Sequence, residues 1–135
     1  MILSPGSERT LLGVHPQLAN IVRRAARLMD GDLGFRVTCG LRTIDEQARL
    51  YRIGATRTMR SRHITGHAVD LAAEFEGAVR WDWPLYARLN KVMQQAAGLS
   101  HLDLEWGGDW RTFKDGPHWQ LPRTSYPDNW GTVRV

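Results

Sequence analysis

The spacing of apolar residues changes several times along this chain, and this alternation limits the fold more than any other sequence feature. Three segments place apolar side chains three or four residues apart, as amphipathic helices do: residues 16–29, 43–54 and 84–98. Pro16 and Pro84 suit the first turn of a helix, and Thr43 with Glu46 forms a capping box. The helix at 43–54 is expected to bury a stripe formed by Ile44, Ala48 and Tyr51.

Short apolar runs lie between and after these helices and predict strands at residues 35–39, 67–72 and 117–121. Residues 55–66 are expected to form a loop. The chain of 135 residues is long enough for one domain with a proper core. We therefore predict a single compact α+β domain over residues 1–135, with its core at about 12–121 and a polar surface tail at 122–135.

A single cysteine, Cys39, excludes an intramolecular disulfide, so the predicted core has to stabilise the fold. Cys39 lies in a predicted strand, where a small buried apolar role is expected. The N-terminus shows no signal-peptide pattern, and no apolar run reaches the length of a membrane span. We expect synthesis in the cytoplasm without a transmembrane segment.

The formal net charge is +4, and a cluster of arginines precedes residue 63: Arg49, Arg52, Arg57, Arg60 and Arg62. A cationic surface of this kind favours an anionic partner, such as nucleic acid, membrane head groups or a cell-wall polymer. The alternative is a solvated arginine face without a dedicated ligand.

The segment SRHITGHAVD, residues 61–70, contains the strongest metal-binding pattern in the chain. His63 and Asp70 are the best pair of ligands, because Gly66 lets the chain turn between them and the following strand would hold Asp70. A catalytic zinc site needs three protein ligands and one open position. The other histidines are the candidates for the third ligand: His15, His67, His101 and His118. A polar turn with Asp70 as a cap is the structural alternative.

His118 is the strongest third candidate, because Asp115 lies three residues before it in DGPHWQ. A carboxylate near a metal-bound imidazole can accept a proton from the attacking water. Glu105, next to a Gly-Gly pair, is a rival for this role but lies further from His118 in sequence. For His67 we favour a place in the cleft wall or a hydrogen bond to backbone over a role as metal ligand. His15 and His101 lack a surrounding motif and are expected to be structural or surface residues.

Five positions in this region, Ser61, His63, Gly66, Ala68 and Asp70, form the pattern S-x-H-x-x-G-x-A-x-D. This pattern resembles the signature of the D-alanyl-D-alanine carboxypeptidase family of zinc peptidases. That family includes phage endolysins that cut the L-alanyl-D-glutamate bond of peptidoglycan. CGLRTIDEQARLY and LEWGGDWRTFKDGPHWQ agree with it in order, so the resemblance covers residues 12–121 approximately. It implies an α+β fold shared with the hedgehog signalling domain, a small antiparallel sheet with flanking helices.

The resemblance implies that His63, Asp70 and His118 bind one Zn²⁺ per chain and that Asp115 is the general base. Many relatives have Glu at that position, and Asp is one methylene shorter. Arg42 matches an arginine that stabilises the oxyanion. Ser61 is expected to bond to substrate or to the ligand loop. The five residues Trp106, Gly107, Gly108, Asp109 and Trp110 are expected to bind substrate, with a packed turn as the alternative.

The activity implied is zinc-dependent hydrolysis of the L-Ala–D-Glu bond by an endolysin that lyses the bacterial cell wall. We expect a monomer that binds peptidoglycan, not nucleic acid, and reaches the wall through a separately made pore. A D-Ala-D-Ala carboxypeptidase or dipeptidase is one alternative, with the same chemistry at a terminal bond. A non-catalytic, basic zinc-binding module is another, and in it Asp115 would be dispensable.

Overall fold

The computed structural model describes residues 1–127, so residues 128–135 of the predicted tail lie outside the described part. The helices are α1 (Pro5–Thr10), α2 (Pro16–Leu28), α3 (Ile44–Arg52) and α4 (Trp83–Leu99), with a 3-10 turn at Gly107–Asp109. The strands are β1 (Leu33–Cys39), β2 (Ala68–Phe75), β3 (Ala78–Arg80), β4 (Glu105–Trp106) and β5 (His118–Gln120). The predicted α+β class and antiparallel sheet are confirmed.

Three short elements had no counterpart in the prediction: α1, β3 and β4. Strand β2 also continues to Phe75, where Glu76 and Gly77 turn the chain back into β3 with φ of 52° and 84°. All three residues of β3 are exposed, so its sequence lacks the alternation that identifies a strand. Helix α1 is only six residues long and docks on β1 through Ser7, whose hydroxyl accepts a hydrogen bond from Val37 N–H at 2.9 Å.

The sheet has the order β1-β2-β5-β4, and β3 pairs with the far part of β2. Strand β2 is central, with β1 on one side and β5 on the other, both antiparallel to it. The register places Asp70 opposite Cys39 of β1 and opposite His118 of β5. The sheet therefore brings together side chains that are far apart in sequence.

One face of the sheet is covered by α2 and α4, which pack against each other. Val69, Leu71 and Trp119 point into this core and are fully buried. Because successive strand residues face opposite sides, Asp70 and His118 point to the other face. That face is the floor of an open cleft.

Arg62 does not belong to the exposed arginine cluster that the sequence predicted. Its side chain is buried, and its Nη2 donates hydrogen bonds to the carbonyls of Leu121 and Tyr126, each at 2.8 Å. Tyr126 OH also donates to the side-chain carbonyl of Gln17 at the start of α2. Arg62 thus attaches the beginning of the tail to the body of the domain. In the described residues 1–127, no helix combines the length and apolarity needed to cross a bilayer.

Candidate active site

Three side chains meet around the carboxylate of Asp70 at the floor of the cleft. Asp70 is on β2, His118 is opposite it on β5, and His63 comes from the loop before β2. Asp70 Oδ1 lies 3.2 Å from His63 Nε2 and 3.2 Å from His118 Nδ1. The two imidazole rings are 5.0 Å apart and nearly perpendicular, at 78°. The geometry brings together the three residues selected from the sequence as metal ligands.

Hydrogen bonds on the far side of each ring determine which nitrogen faces Asp70. His63 Nδ1 donates to the carbonyl of Gly40 at 2.9 Å, and His118 Nε2 donates to Gln120 Oε1 at 2.8 Å. Gln120 Nε2 in turn donates to Glu105 Oε2 at 3.1 Å. This arrangement is typical of metal-binding histidines, whose second nitrogen is held by an outer hydrogen bond. It leaves His63 Nε2 and His118 Nδ1 available as ligand atoms.

The donor set fits a metal ion. Two imidazoles and one carboxylate suit zinc and other first-row divalent ions, and a cleft on the fourth side suits a catalytic site. The sequence could not reveal the hydrogen bonds from the histidines to Gly40 and Gln120. These acceptors are identified only once the fold has placed the two imidazole rings. His63, Asp70 and His118 are the residues that could hold the ion.

Hydrogen bonds and charges within this cluster shift the pKa values of Asp70 and His63. Burial acts to raise the pKa of Asp70, but the charge of His63 and hydrogen bonds from both histidines hold it well below its usual range. Burial acts to lower the pKa of His63, but the charge and hydrogen bond of Asp70 raise it to about 10. A proton and a metal ion are alternatives at His63 Nε2, so binding of a metal would displace that proton.

Asp115 stands beside this cluster, in the loop before β5. One of its carboxylate oxygens lies within 4.8 Å of the donor atoms of Asp70 and His118. Burial and the charge of Asp70 raise the pKa of Asp115, and His118, His63 and Arg42 offset only part of this. A carboxylate with a raised pKa is a better proton acceptor near neutral pH.

Gly107 fixes the backbone of Asp115. The Asp115 N–H donates to the Gly107 carbonyl at 2.9 Å, and the Asp115 carbonyl accepts from His118 N–H at 3.2 Å. A Cβ on residue 107 would lie 2.4 Å from the Asp115 carbonyl oxygen, so this close approach requires glycine. Gly107 thus contributes to the position of Asp115, and neither Gly107 nor Gly108 is among the residues that line the cleft.

Arg42 reaches the cluster from the other side. Its Nη2 lies 3.7 Å from Asp70 Oδ2, and its Nη1 donates to Gln47 Oε1 at 2.8 Å. Gln47 is fully buried and its Nε2 donates to the Thr58 carbonyl at 2.7 Å. The guanidinium is therefore held in a fixed orientation at the edge of the cleft.

The burial of Gln47 also contradicts the apolar stripe that was predicted for α3. Ile44 and Tyr51 are largely exposed, and Gln47 is the buried residue of this helix. The reason is that the inner face of α3 backs a polar site and not the apolar core. A polar side chain with several fixed partners is favoured there.

The cleft has a volume of about 850 Å³, within the usual range for ligand sites. Two loops border it, and Arg57 of one lies 4.6 Å from the ring centre of Phe113 in the other. Ser61 lines the cleft, and its Oγ accepts a hydrogen bond from His63 N–H at 3.1 Å. Trp110 also lines it, with its ring 5.0 Å from that of His118.

Trp106 occupies a different place from the one expected. It is buried, its Nε1 donates to the Gly116 carbonyl at 2.7 Å, and its ring stacks at 6.3 Å on Trp119. A Cβ on Gly108 would lie 2.3 Å from the Trp106 indole. Of the five residues 106–110, only Trp110 lines the cleft. Because β4 pairs with β5, the Trp106 side chain lies in the core. The expectation that Trp106 contacts the substrate directly is therefore corrected.

The remaining candidates lie outside the ligand cluster. His67 is fully buried, with Nδ1 2.7 Å from the Thr65 hydroxyl and its ring 5.7 Å from that of His15. His15 caps α2 by accepting a hydrogen bond from Gln17 N–H. His101 is an exposed residue after α4 with φ of 56°.

Cys39 is half-buried rather than buried, which corrects the expectation of a purely apolar role. Its Sγ lies 3.7 Å from His63 Nδ1 and 3.4 Å from Arg42 Nη2. Burial acts to raise the pKa of the thiol, but the hydrogen bond to His63 and the charges of His63 and Arg42 bring it below its usual value. Sγ contacts the nitrogen of His63 that faces Gly40, and donor atoms of Cys39, His63 and Asp70 lie within 4.8 Å of one another, so the thiol is a further candidate ligand.

The sequence and the fold of this chain are similar to those of known peptidases. Residues 1–121 match the family described as phage L-alanyl-D-glutamate peptidase. The L-alanyl-D-glutamate peptidase of Listeria phage A118 is 34% identical over 122 residues, 87% of this chain and 42% of that protein. The L-alanyl-D-glutamate peptidase of Escherichia phage T5 is 32% identical over 124 residues, 89% of this chain and 88% of the relative. The crystal structure of the Serratia marcescens L-Ala D-Glu endopeptidase ChiX superposes with a TM-score of 0.86 at 42% identity, covering 94% of both chains. The chain thus spans less than half of the Listeria phage protein but nearly all of the other two.

Proposed function

The chain belongs to the phage L-alanyl-D-glutamate peptidase family, and on that premise we propose that it is a zinc-dependent endopeptidase of bacterial peptidoglycan. It hydrolyses the L-Ala–D-Glu bond of the stem peptide. The observation that supports this most directly is the convergence of His63 Nε2, Asp70 Oδ1 and His118 Nδ1 at the floor of an open cleft, with Asp115 beside them.

Bound by these three ligands, zinc would supply a Lewis acid that polarises the scissile carbonyl and acidifies water. Asp115 accepts the proton as the water oxygen attacks the L-Ala carbonyl carbon. It then delivers this proton to the D-Glu nitrogen as the C–N bond breaks, and the second water proton stays on the new L-Ala carboxyl group until it is lost to the released D-Glu amine or to solvent. The position of Asp115 beside Asp70 and His118 suits both transfers, and no covalent enzyme intermediate is formed.

Arg42 stabilises the negative charge that develops on the carbonyl oxygen. Its guanidinium lines the cleft and is oriented by Gln47, so it needs no reorganisation as the charge forms. Donors arranged in advance in this way contribute on the order of 10²–10³-fold in kcat.

Arg57 and Arg60 are exposed beside the cleft, and we assign to them the attraction to an anionic cell envelope. Arg62 is removed from this set because it is buried. Neutralising Arg57 and Arg60 with glutamine should weaken binding to isolated walls and flatten its dependence on salt. Unchanged binding would contradict the assignment. A monomeric state and release to the wall through a separately made pore stay predictions.

The test is digestion of purified peptidoglycan followed by mass spectrometry of the fragments. New N-terminal D-Glu ends that vanish with a chelator and return with zinc are expected. Loss of terminal D-Ala alone would identify a carboxypeptidase instead.

An Asp115→Asn variant separates catalysis from metal binding. It should retain one zinc per chain but release no fragments, because the base is lost and the three ligands are kept. Asp30→Asn, the same change at an exposed residue after α2, is the matched control and should cleave normally. Full activity of Asp115→Asn would refute the assigned mechanism.

A further inference from the structure

A second groove lies on the other side of the loop that carries Asp115. Its volume is about 230 Å³, smaller than the roughly 300–1,000 Å³ of sites for drug-sized ligands. It is lined by Trp81, Trp83, Tyr86 and residues 114–117. We propose that this groove is a subsite for an N-acetylated amino sugar of the glycan strand, an inference that rests on the proposed function.

The two tryptophans leave much of their surface in water. Trp81 is 62% exposed and Trp83 is 50% exposed. Neither belongs to the buried core, although each contacts a core ring. Neighbouring large aromatic side chains held in solvent form an apolar patch of the kind that marks binding sites.

The groove is rigid before any ligand arrives. Trp81 stacks parallel to Tyr86 at 6.1 Å with an angle of 3° between the rings. Tyr86 OH donates to the Arg80 carbonyl at 2.9 Å and accepts from Ala73 N–H at 3.1 Å. Trp83 begins α4 and meets the buried Trp106 edge to face at 6.2 Å. Fixed rings lose little conformational entropy when a ligand binds.

These groups match the chemistry of an amino sugar. The C–H face of a pyranose is apolar and packs on an indole, while its hydroxyl and acetamido groups need polar partners. Lys114 lines the same groove and supplies an ammonium donor at its rim. The peptide carbonyls at 115–117 already accept hydrogen bonds from His118 N–H, Trp106 Nε1–H and Leu71 N–H, so we assign the polar contact to Lys114.

The position of the groove follows the connectivity of the substrate. In peptidoglycan the stem peptide is joined through L-Ala and a lactyl group to the sugar, so the scissile bond is one residue from the glycan. The lactyl group and L-Ala together span about two extended residues, roughly 7 Å. Asp115 lines both the cleft and the groove, so the loop at 114–117 is their common wall. A peptide cleaved beside Asp115 places its sugar at this wall when the stem runs from the groove into the cleft, and we propose that direction.

The experiment compares two substrates of the intact protein: a sugar-free stem peptide and the same stem on its disaccharide. Trp81→Ala should lower kcat/KM on the disaccharide-linked stem by about threefold to tenfold, the range for one aromatic packing contact. On the sugar-free peptide it should leave kcat/KM unchanged. Tyr51→Ala, an exposed aromatic of α3 outside both sites, is the matched control and should change neither value. Equal losses on both substrates, or no loss on either, would overturn the proposal.

Direct binding distinguishes this proposal from the proposed function. The disaccharide without peptide is titrated while saturation-transfer NMR records its contacts with the protein. Contacts in the parent that weaken in Trp81→Ala are expected even if the parent cleaves neither substrate, whereas no contacts in the parent would overturn the subsite. Trp83→Ala, read by the same titration, provides a second variant. A dimer that Trp81→Ala dissociates would assign this face to a second copy of the chain and also overturn the proposal.

Discussion

Gly107→Ala tests whether a backbone contact positions the proposed base. The new methyl group would lie 2.4 Å from the Asp115 carbonyl oxygen and 3.1 Å from the Asp115 Cβ. Ordinary van der Waals contact begins near 3.4 Å, so the Asp115 backbone must retreat by about 1 Å. A displacement of this size typically costs about 100-fold in rate. Overpacking should also lower the free energy of unfolding by about 1–3 kcal/mol.

The assay is kcat/KM on a soluble stem peptide, together with zinc content and denaturant unfolding. Zinc should stay at one per chain, because His63 and Asp70 lie on other segments and pairing with β2 holds His118 in place. Gly98→Ala is the matched control: a Cβ there meets no atom within 4 Å, and Gly98 lies in α4, where alanine is the better helix former. Its activity should equal that of the parent. Parent-like activity of Gly107→Ala would refute the idea that this contact sets the position of Asp115.

Three further predictions concern other parts of the site. Arg42→Ala should lower kcat about 100-fold or more with little change in KM, because the lost donor acts on the transition state; a change confined to KM in steady-state kinetics would contradict this. Because burial and the charge of Asp70 raise the pKa of Asp115, its carboxyl group should titrate above the usual carboxyl range in the zinc-free protein, as followed by carbon NMR; titration at an ordinary carboxyl pKa would contradict this. Gln120→Ala removes the acceptor of His118 Nε2–H and should weaken zinc affinity about 10–100-fold in chelator competition, and an unchanged Kd would contradict that role.

The helices and the candidate metal ligands could be selected from the sequence because their signals are local. Proline, a capping box and apolar spacing identify α2, α3 and α4 from neighbouring residues alone. His63 and Asp70 are seven positions apart and joined by one turn and one strand, so their spacing carries the pattern. His118 with Asp115 is a second local signal.

Tertiary structure alone decided how these local pieces meet. Asp70 and His118 face each other because β2 and β5 pair in one register, across 48 positions. Gln47 is buried because Arg42 and the loop after α3 supply its polar partners. Arg62 is buried because the carbonyl of Leu121, 59 positions away, accepts its hydrogen bond. Trp106 lies in the core because β4 pairs with β5. Hydrogen-bond partners and burial depend on contacts between segments far apart in the chain, and residue spacing along a single segment does not contain that information.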